Sequence, residues 1–181
     1  TDAWCTRDGE VVLDHDGRHR LFPRKAIAEV DREDLKSHIP TLDELYATVG
    51  TDIPLSVDVK DPATFEPMIE VARDHGALDR LWVCHPDLEL LQQWRDLSPE
   101  LHLVNSTSLD ALPHGPERRA AELAAARIDA VNLRQQYWTG GLTTLFHRFD
   151  VLCFGWDAQH ERQIARLIDM GIDACLLYTS D

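Results

Sequence analysis

The chain has 181 residues, 44% of them hydrophobic, which is enough to bury the core of one domain. Its 18 basic residues face 32 acidic ones, and the resulting net charge of −14 excludes a nucleic-acid partner held by phosphate contacts. No run approaches the roughly 18 apolar residues of a membrane span, so stable membrane insertion is not expected. No signal peptide is visible, and a cytoplasmic location is the expectation, although the chain begins without an initiator methionine.

Apolar runs alternate with helical patterns along the chain. The first strand candidates are DAWC (2–5) and VVLDH (11–15); the run Val11-Val12-Leu13 reads as a buried parallel strand. DREDLKSHIPTLDELY (31–46) carries little strand signal and breaks at Pro40-Thr41, with Thr41 capping a helix that includes Leu42, Leu45 and Tyr46. PLSVDV (54–59) is a strand, followed by an amphipathic helix over 62–76 that stops at Gly76. RLWVCH (80–85), LHLVN (101–105), DAVNL (129–133) and VLCFGW (151–156) supply further strands. Between them, helices are predicted over 87–97 with an Asp cap, over 116–127 with Pro in the first turn, and over 158–171 ending at glycine. The alternation predicts one α/β domain with a parallel sheet and helical crossovers.

The four cysteines, at 5, 84, 153 and 175, have no close metal-ligand spacing. Cys84 and Cys153 lie in apolar runs and read as buried thiols. The tryptophans at 4, 82, 94 and 138 read as packing residues. The histidines at 19, 38, 75, 102, 114, 147 and 160 read as solvated loop or helix positions. Arg18, His19, Arg20, Arg24 and Lys25 form a basic patch, by default a solvated loop.

The chemistry-bearing feature is the pair of charged strand ends, His15-Asp16 and Asp58-x-Lys60. Strand C-termini are where parallel α/β folds place their reactive groups. Side chains alternate with period two, so Asp58 and Lys60 share one face, either as a surface ion pair or as part of a site. Carboxylates suit a hard divalent cation, lysine an anionic substrate, and histidine a proton transfer near neutrality.

DAWCTRDGEVVLDHDG (2–17), IPTLDELY (39–46), LSVDVKDP (55–62), CFGWDAQ (153–159) and MGIDA (170–174) together resemble the glycerophosphodiester phosphodiesterase family. Its pattern runs carboxylate-x-Asp, T-x-DG-x-x-V-x-HD, IPTL-x-E, acidic-x-Lys, a late strand ending in Trp, and G-hydrophobic-D. The resemblance implies a TIM (β/α)8-type barrel, here incomplete with its first strand missing. It implies hydrolysis of a small-molecule glycerophosphodiester to sn-glycerol 3-phosphate and an alcohol with Mg²⁺ or Ca²⁺. Asp2 and Asp58 match metal carboxylates, the latter usually Glu in the family. His15 matches a general acid/base, Lys60 the phosphate-facing lysine and Trp156 the aromatic residue beside glycerol. His85, at the end of its own strand, is a further candidate for substrate contact, and Asn132 is another polar strand residue of the same kind.

The family's HRG histidine and first metal Glu would fall before Thr1, so the chain as written is expected to carry at most half of the acid/base pair. Cys175–Asp181 resembles a translated library adapter, which makes 1–174 the expected partial barrel domain and 175–181 a non-native tail. Other readings stay open: a sphingomyelinase D-like phosphodiesterase, whose relatives use Asp-x-Lys, a catalytically incomplete phosphate-binding fragment, or a Schiff-base aldolase using Lys60.

Overall fold

The computed structural model describes residues 1–19 and 25–177. The chain divides into two compact units, Thr1–Val83 and Cys84–Asp181. Arg20 and Arg24 of the basic patch, and positions 178–181 of the expected tail, lie outside the described residues.

In the first unit, β1 (Asp2–Cys5) lies between two strands. On one side is β2 (Val11–Leu13), and on the other, beyond a short β3–β4 hairpin (Arg18–His19, Lys25–Ala26) and helix α1 (Leu42–Val49), is β5 (Leu55–Val59). β5 runs parallel to β1, with Asp2 opposite Asp58. β2 is antiparallel to β1, pairing Ala3 with Leu13 and Cys5 with Val11. The expectation of a parallel strand at 11–15 is therefore corrected, and the strand stops at Leu13. Complete burial of Val11, Val12 and Leu13 produced the parallel-like pattern, but burial on both faces does not fix direction. The Asp8-Gly9 dipeptide between the two runs is the hairpin signal that does.

That hairpin is tied by its own side chains. The Thr6 hydroxyl donates to Asp8 Oδ1 at 2.5 Å and accepts from Glu10 N at 2.9 Å. Asp8 also accepts from Arg32 N at 3.1 and 3.2 Å, and Arg7 pairs with Asp31. The hydroxyl bond, then the Arg32 amide, hold the Asp8 carboxyl below the usual carboxylate range, with burial opposing. α1 starts as expected: Thr41 Oγ1 accepts from Glu44 N at 3.0 Å while Glu44 Oε2 accepts from Thr41 N at 2.8 Å. The same segment bridges back onto β2, Leu13 N donating to Pro40 O at 3.0 Å. Val12, Ile27, Val30, Leu35 and Ile39 fill the space beneath, with Trp4 against them.

α2 (Phe65–Asp74) completes this unit, and β6 (Leu81–His85) spans the boundary. The second unit alternates α3 (Leu88–Leu97), β7 (His102–Ser106), α4 (Gly115–Ala125), β8 (Ala130–Arg134), α5 (Gly140–His147), β9 (Leu152–Trp156), α6 (Glu161–Asp169) and β10 (Ala174–Leu176). β7, β8, β9 and β10 pair successively in parallel. Cys175 and Leu176, assigned above to the expected tail, thus lie in β10, opposite Gly155 and Trp156.

One device ends helix after helix. Beyond α2, α4, α5 and α6 a residue takes positive φ, at Gly76, Arg127, Asp150 and Gly171. The next amide returns to a carbonyl five residues back: Ala77 to Ala72, Ile128 to Leu123, Val151 to Phe146 and Ile172 to Leu167, at 2.8–3.2 Å. This 6→1 bond satisfies an orphan carbonyl and turns the chain into the next strand. Ala72, Leu123, Phe146 and Leu167 are fully buried, so each stop also anchors a helix in the core. Trp94 and Trp138 pack as expected, the latter 0% exposed with its indole donating to Phe154 O at 2.9 Å. Cys84 and Cys153 are buried. No helix among the described residues is long and apolar enough to cross a membrane.

Candidate active site

Asp2 and Asp58 sit side by side because β1 and β5 are parallel and in register at those residues. Asp58 N donates to Thr1 O at 2.8 Å and Lys60 N to Ala3 O at 3.2 Å, so the ladder continues past both carboxylates. The Lys60 ammonium pairs with Asp58 and lies 3.8 Å from Asp2 Oδ2. Burial, the largest influence, raises the Asp2 carboxyl above its ordinary value; Lys60 opposes this, Asp58 adds to it, and the amino terminus and His15 oppose it more weakly. The two carboxylates share the Lys60 ammonium, which leaves each of them with oxygen acceptors that a further cation could use.

The return strand β2 brings His15 back to this level, since Asp14 N donates to Asp2 O at 3.1 Å. The turn after β2 is held by two hydrogen bonds. Trp4 Nε1 donates to Asp14 O at 2.8 Å, and Asp14 Oδ2 accepts from Gly17 N at 2.8 Å. Gly17 has φ +63°, and a Cβ there would stand 2.1 Å from Trp4 Cζ2, so only glycine fits under the indole. The His15 ring is left largely exposed, 3.4 Å from Asp16 Oδ1. The T-x-DG…HDG string is thus mostly scaffold: Thr6, Asp8, Asp14 and Gly17 shape the hairpin that presents one histidine.

Of the residues singled out from sequence, the structure gathers Asp2, His15, Asp58 and Lys60 in the first unit. His85 and Trp156 stand at the C-terminal ends of β6 and β9 in the second. His85 Nδ1 accepts from Asp87 N at 3.1 Å, and its ring meets Trp94 edge-on at 5.2 Å. Trp156 lies under the Arg134 guanidinium, 5.7 Å from the ring centroid, and Arg134 is fixed by Asp157 at 2.7 Å. Asn132 is buried, donates to Ser106 Oγ at 3.2 Å and leaves its own Oδ1 without a partner.

Two of the histidines expected to be solvated have side-chain partners. His75 pairs with Asp43 at 2.8 Å and packs on Tyr46, and His147 pairs with Asp173 at 2.8 Å. Their partners lie 32 and 26 residues away along the chain, beyond any local pattern. His102 opens β7, half-buried in a strand, not in a loop or helix.

The donor set at Asp2 and Asp58 is all oxygen, with a cationic group already seated between the carboxylates. That chemistry fits a hard divalent cation such as Mg²⁺ or Ca²⁺.

No family model and no curated protein matches the chain. Solved structures do match. A protein assigned as a glycerophosphoryl diester phosphodiesterase from Agrobacterium tumefaciens strain C58 superposes with TM-score 0.84 at 18% identity, covering 97% of this chain and 79% of that one. An Oleispira antarctica phosphodiesterase in complex with the product sn-glycerol-3-phosphate superposes with TM-score 0.82 at 18% identity, covering 97% and 78%. A glycerophosphodiester phosphodiesterase from Parabacteroides distasonis gives TM-score 0.77 at 15% identity, covering 97% and 77%. The chain shares their fold, an α/β architecture of the incomplete TIM-barrel type.

Proposed function

We propose that the chain carries the reactive face of a metal-dependent phosphodiesterase that hydrolyses glycerophosphodiesters to sn-glycerol 3-phosphate and an alcohol. The observation that carries this reading is the in-register pair Asp2–Asp58 around the Lys60 ammonium, with His15 returned beside it by an antiparallel strand. It is supported by the shared fold with phosphodiesterases, one of them holding sn-glycerol 3-phosphate.

Asp2 and Asp58 would hold the divalent cation, which when bound supplies charge stabilisation on phosphoryl oxygens. Lys60 orients the phosphate and offsets charge that builds on it in the transition state. Its ion pairs with Asp58 and Asp2 hold the ammonium beside both carboxylates. His15, exposed beside Asp2, takes a proton from the nucleophile or returns one to the leaving alkoxide. Within the second unit, Trp156, with Arg134 over its ring, would present an apolar face of the kind that suits glycerol carbons, and His85 a polar group of the kind that contacts an alcohol.

Release of sn-glycerol 3-phosphate from glycerophosphocholine, assayed with Mg²⁺ or Ca²⁺ beside lysophosphatidylcholine, tests the reading. Turnover of glycerophosphocholine that chelation abolishes is the expected result. Turnover of the lysophospholipid alone favours a sphingomyelinase D-like reaction, for which Asp58 in place of Glu is the one specific observation. Failure of both substrates with metal present contradicts the proposal.

A further inference from the structure

The stretches LAAARIDA (123–130) and LIDMGIDA (167–174) build the same object twice. In each, a buried leucine closes the 6→1 bond, a positive-φ residue follows, and an Ile-Asp-Ala run leads into a strand. Each Asp then clamps the start of the preceding strand. Asp129 N donates to Leu103 O at 3.0 Å and Asp129 Oδ2 accepts from Leu103 N at 2.7 Å. Asp173 N donates to Cys153 O at 2.9 Å and Asp173 Oδ2 accepts from Cys153 N at 2.7 Å. A basic side chain from the last turn of the helix before that strand completes each clamp. It is Arg95 of α3 for Asp129 and His147 of α5 for Asp173.

The first copy shows that the clamp needs no metal ligand, since the groups facing Asp129 are a guanidinium and the aliphatic Leu103. In the second copy both positions carry ligands, an imidazole and a thiol. His147, Cys153 and Asp173 each offer a ligand atom, and these atoms lie within 4.8 Å of one another. Ligand atoms around a tetrahedral zinc stand roughly 3.3–3.8 Å apart, so small rotations of exposed side chains suffice. His147 and Asp173 are 39% and 31% exposed, which gives a cation an approach, while Cys153 is 0% exposed and is held at the strand start.

We propose that His147, Cys153 and Asp173 form a binding site for one thiophilic divalent cation of the Zn²⁺ class, with the fourth position open to water. Nitrogen, sulfur and oxygen in a three-ligand set suit zinc and do not suit Mg²⁺ or Ca²⁺. Burial, and then the Asp173 charge, push the Cys153 thiol up to about 12, so the metal-free site holds a thiol. Binding expels that proton and leaves the backbone clamp from Cys153 N intact. The site rests on no part of the phosphodiesterase reading, which uses oxygen ligands and a hard cation.

Cobalt titration of the purified chain tests it. One Co²⁺ per chain is expected to bind with a thiolate-to-cobalt charge-transfer band that Zn²⁺ abolishes by displacement. Excess Zn²⁺ should raise the melting temperature by a few °C. His147→Arg copies the Arg95 clamp, so it should stay folded while losing the band and weakening Zn²⁺ binding at least about 10-fold. Cys153→Ser should lose the band as well. Should the buried serine fail to fold, His147→Arg alone decides, because its side chain lies at the surface. A folded wild-type chain with no charge-transfer band, or a His147→Arg variant that binds Zn²⁺ as tightly as wild type, overturns the proposal.

Discussion

Asp58 and Asp129 both face a cation, yet they are held in opposite ways. Asp129 saturates its acceptors: it takes the Leu103 amide and the guanidinium of Arg95, which is 5% exposed and also donates to Pro99 O and Leu101 O at 2.8 and 2.7 Å. Asp58 stands in register with a second carboxylate, and the two divide one lysine that is itself about one-third exposed. A carboxylate that the fold uses for itself is matched charge for charge and amide for amide. The one proposed to hold a ligand shares its lysine with a second carboxylate. The difference separates the residues that hold this chain together from those that would act on a substrate.

The largest effect is expected from Asp129→Ala. Removing the partner of a buried guanidinium costs about 3–5 kcal/mol, and chemical denaturation should show a loss of that size. A loss below 1 kcal/mol would mean that Asp129 is as dispensable to the fold as a rim carboxylate. At the other end, Asp58→Asn and His15→Ala should leave the denaturation midpoint nearly unchanged. Each should reduce metal-dependent turnover by about 10²-fold, close to 2.7 kcal/mol in the barrier. His15→Ala with full activity would remove that residue from the mechanism.

A smaller effect concerns acid. Asp8 is held below its ordinary range first by the Thr6 hydroxyl, and Glu44 first by the Thr41 amide and then by Arg32. A depressed carboxyl stabilises the fold above its unfolded value, near 3.8 for Asp and 4.5 for Glu, and that contribution fades as pH falls through the lower folded value. The melting temperature should therefore drop on acidification below about pH 4.5, less steeply in Asp8→Asn/Glu44→Gln than in wild type. Equal slopes would show that neither group is coupled to folding. Smallest is Arg127→Gly. Arg127 takes φ 55° where the matching position of the second copy has Gly171, and its contact with Asp96 at 3.7 Å is exposed on both sides. Glycine should stabilise the chain by up to about 1 kcal/mol; a loss would show that the ion pair outweighs the strain.

Most strands were legible because their apolar runs are short, bounded and rich in Val and Leu, and the Thr41 cap was legible because Thr-x-x-Glu specifies its own bonds. Helix α5 was not, since it opens on Gly140-Gly141 and continues through Thr143-Thr144, all weak helix formers. It is started by Thr139, whose hydroxyl accepts from Leu142 N at 3.2 Å, and anchored by buried Phe146. The direction of β2 was hidden for a different reason, because burial pattern carries no sign. Within the candidate site, Asp58 and Lys60 could be placed on one face from spacing alone. Their alignment with Asp2 needed the register of two strands more than fifty residues apart. The clamps at Asp129 and Asp173 left only the faint trace of a twice-used Ile-Asp-Ala, too short to register as a repeat.

Asp2, Asp58 and Lys60 are proposed to form one cation-and-phosphate site. Calorimetric titration of the chain with Mg²⁺ or Ca²⁺, with and without sn-glycerol 3-phosphate, tests it most directly. One cation per chain is expected, bound more tightly when the phosphate is present, with at least about a 10-fold loss of affinity in Asp58→Asn. Binding that ignores the phosphate, or that survives unchanged in Asp58→Asn, would contradict it.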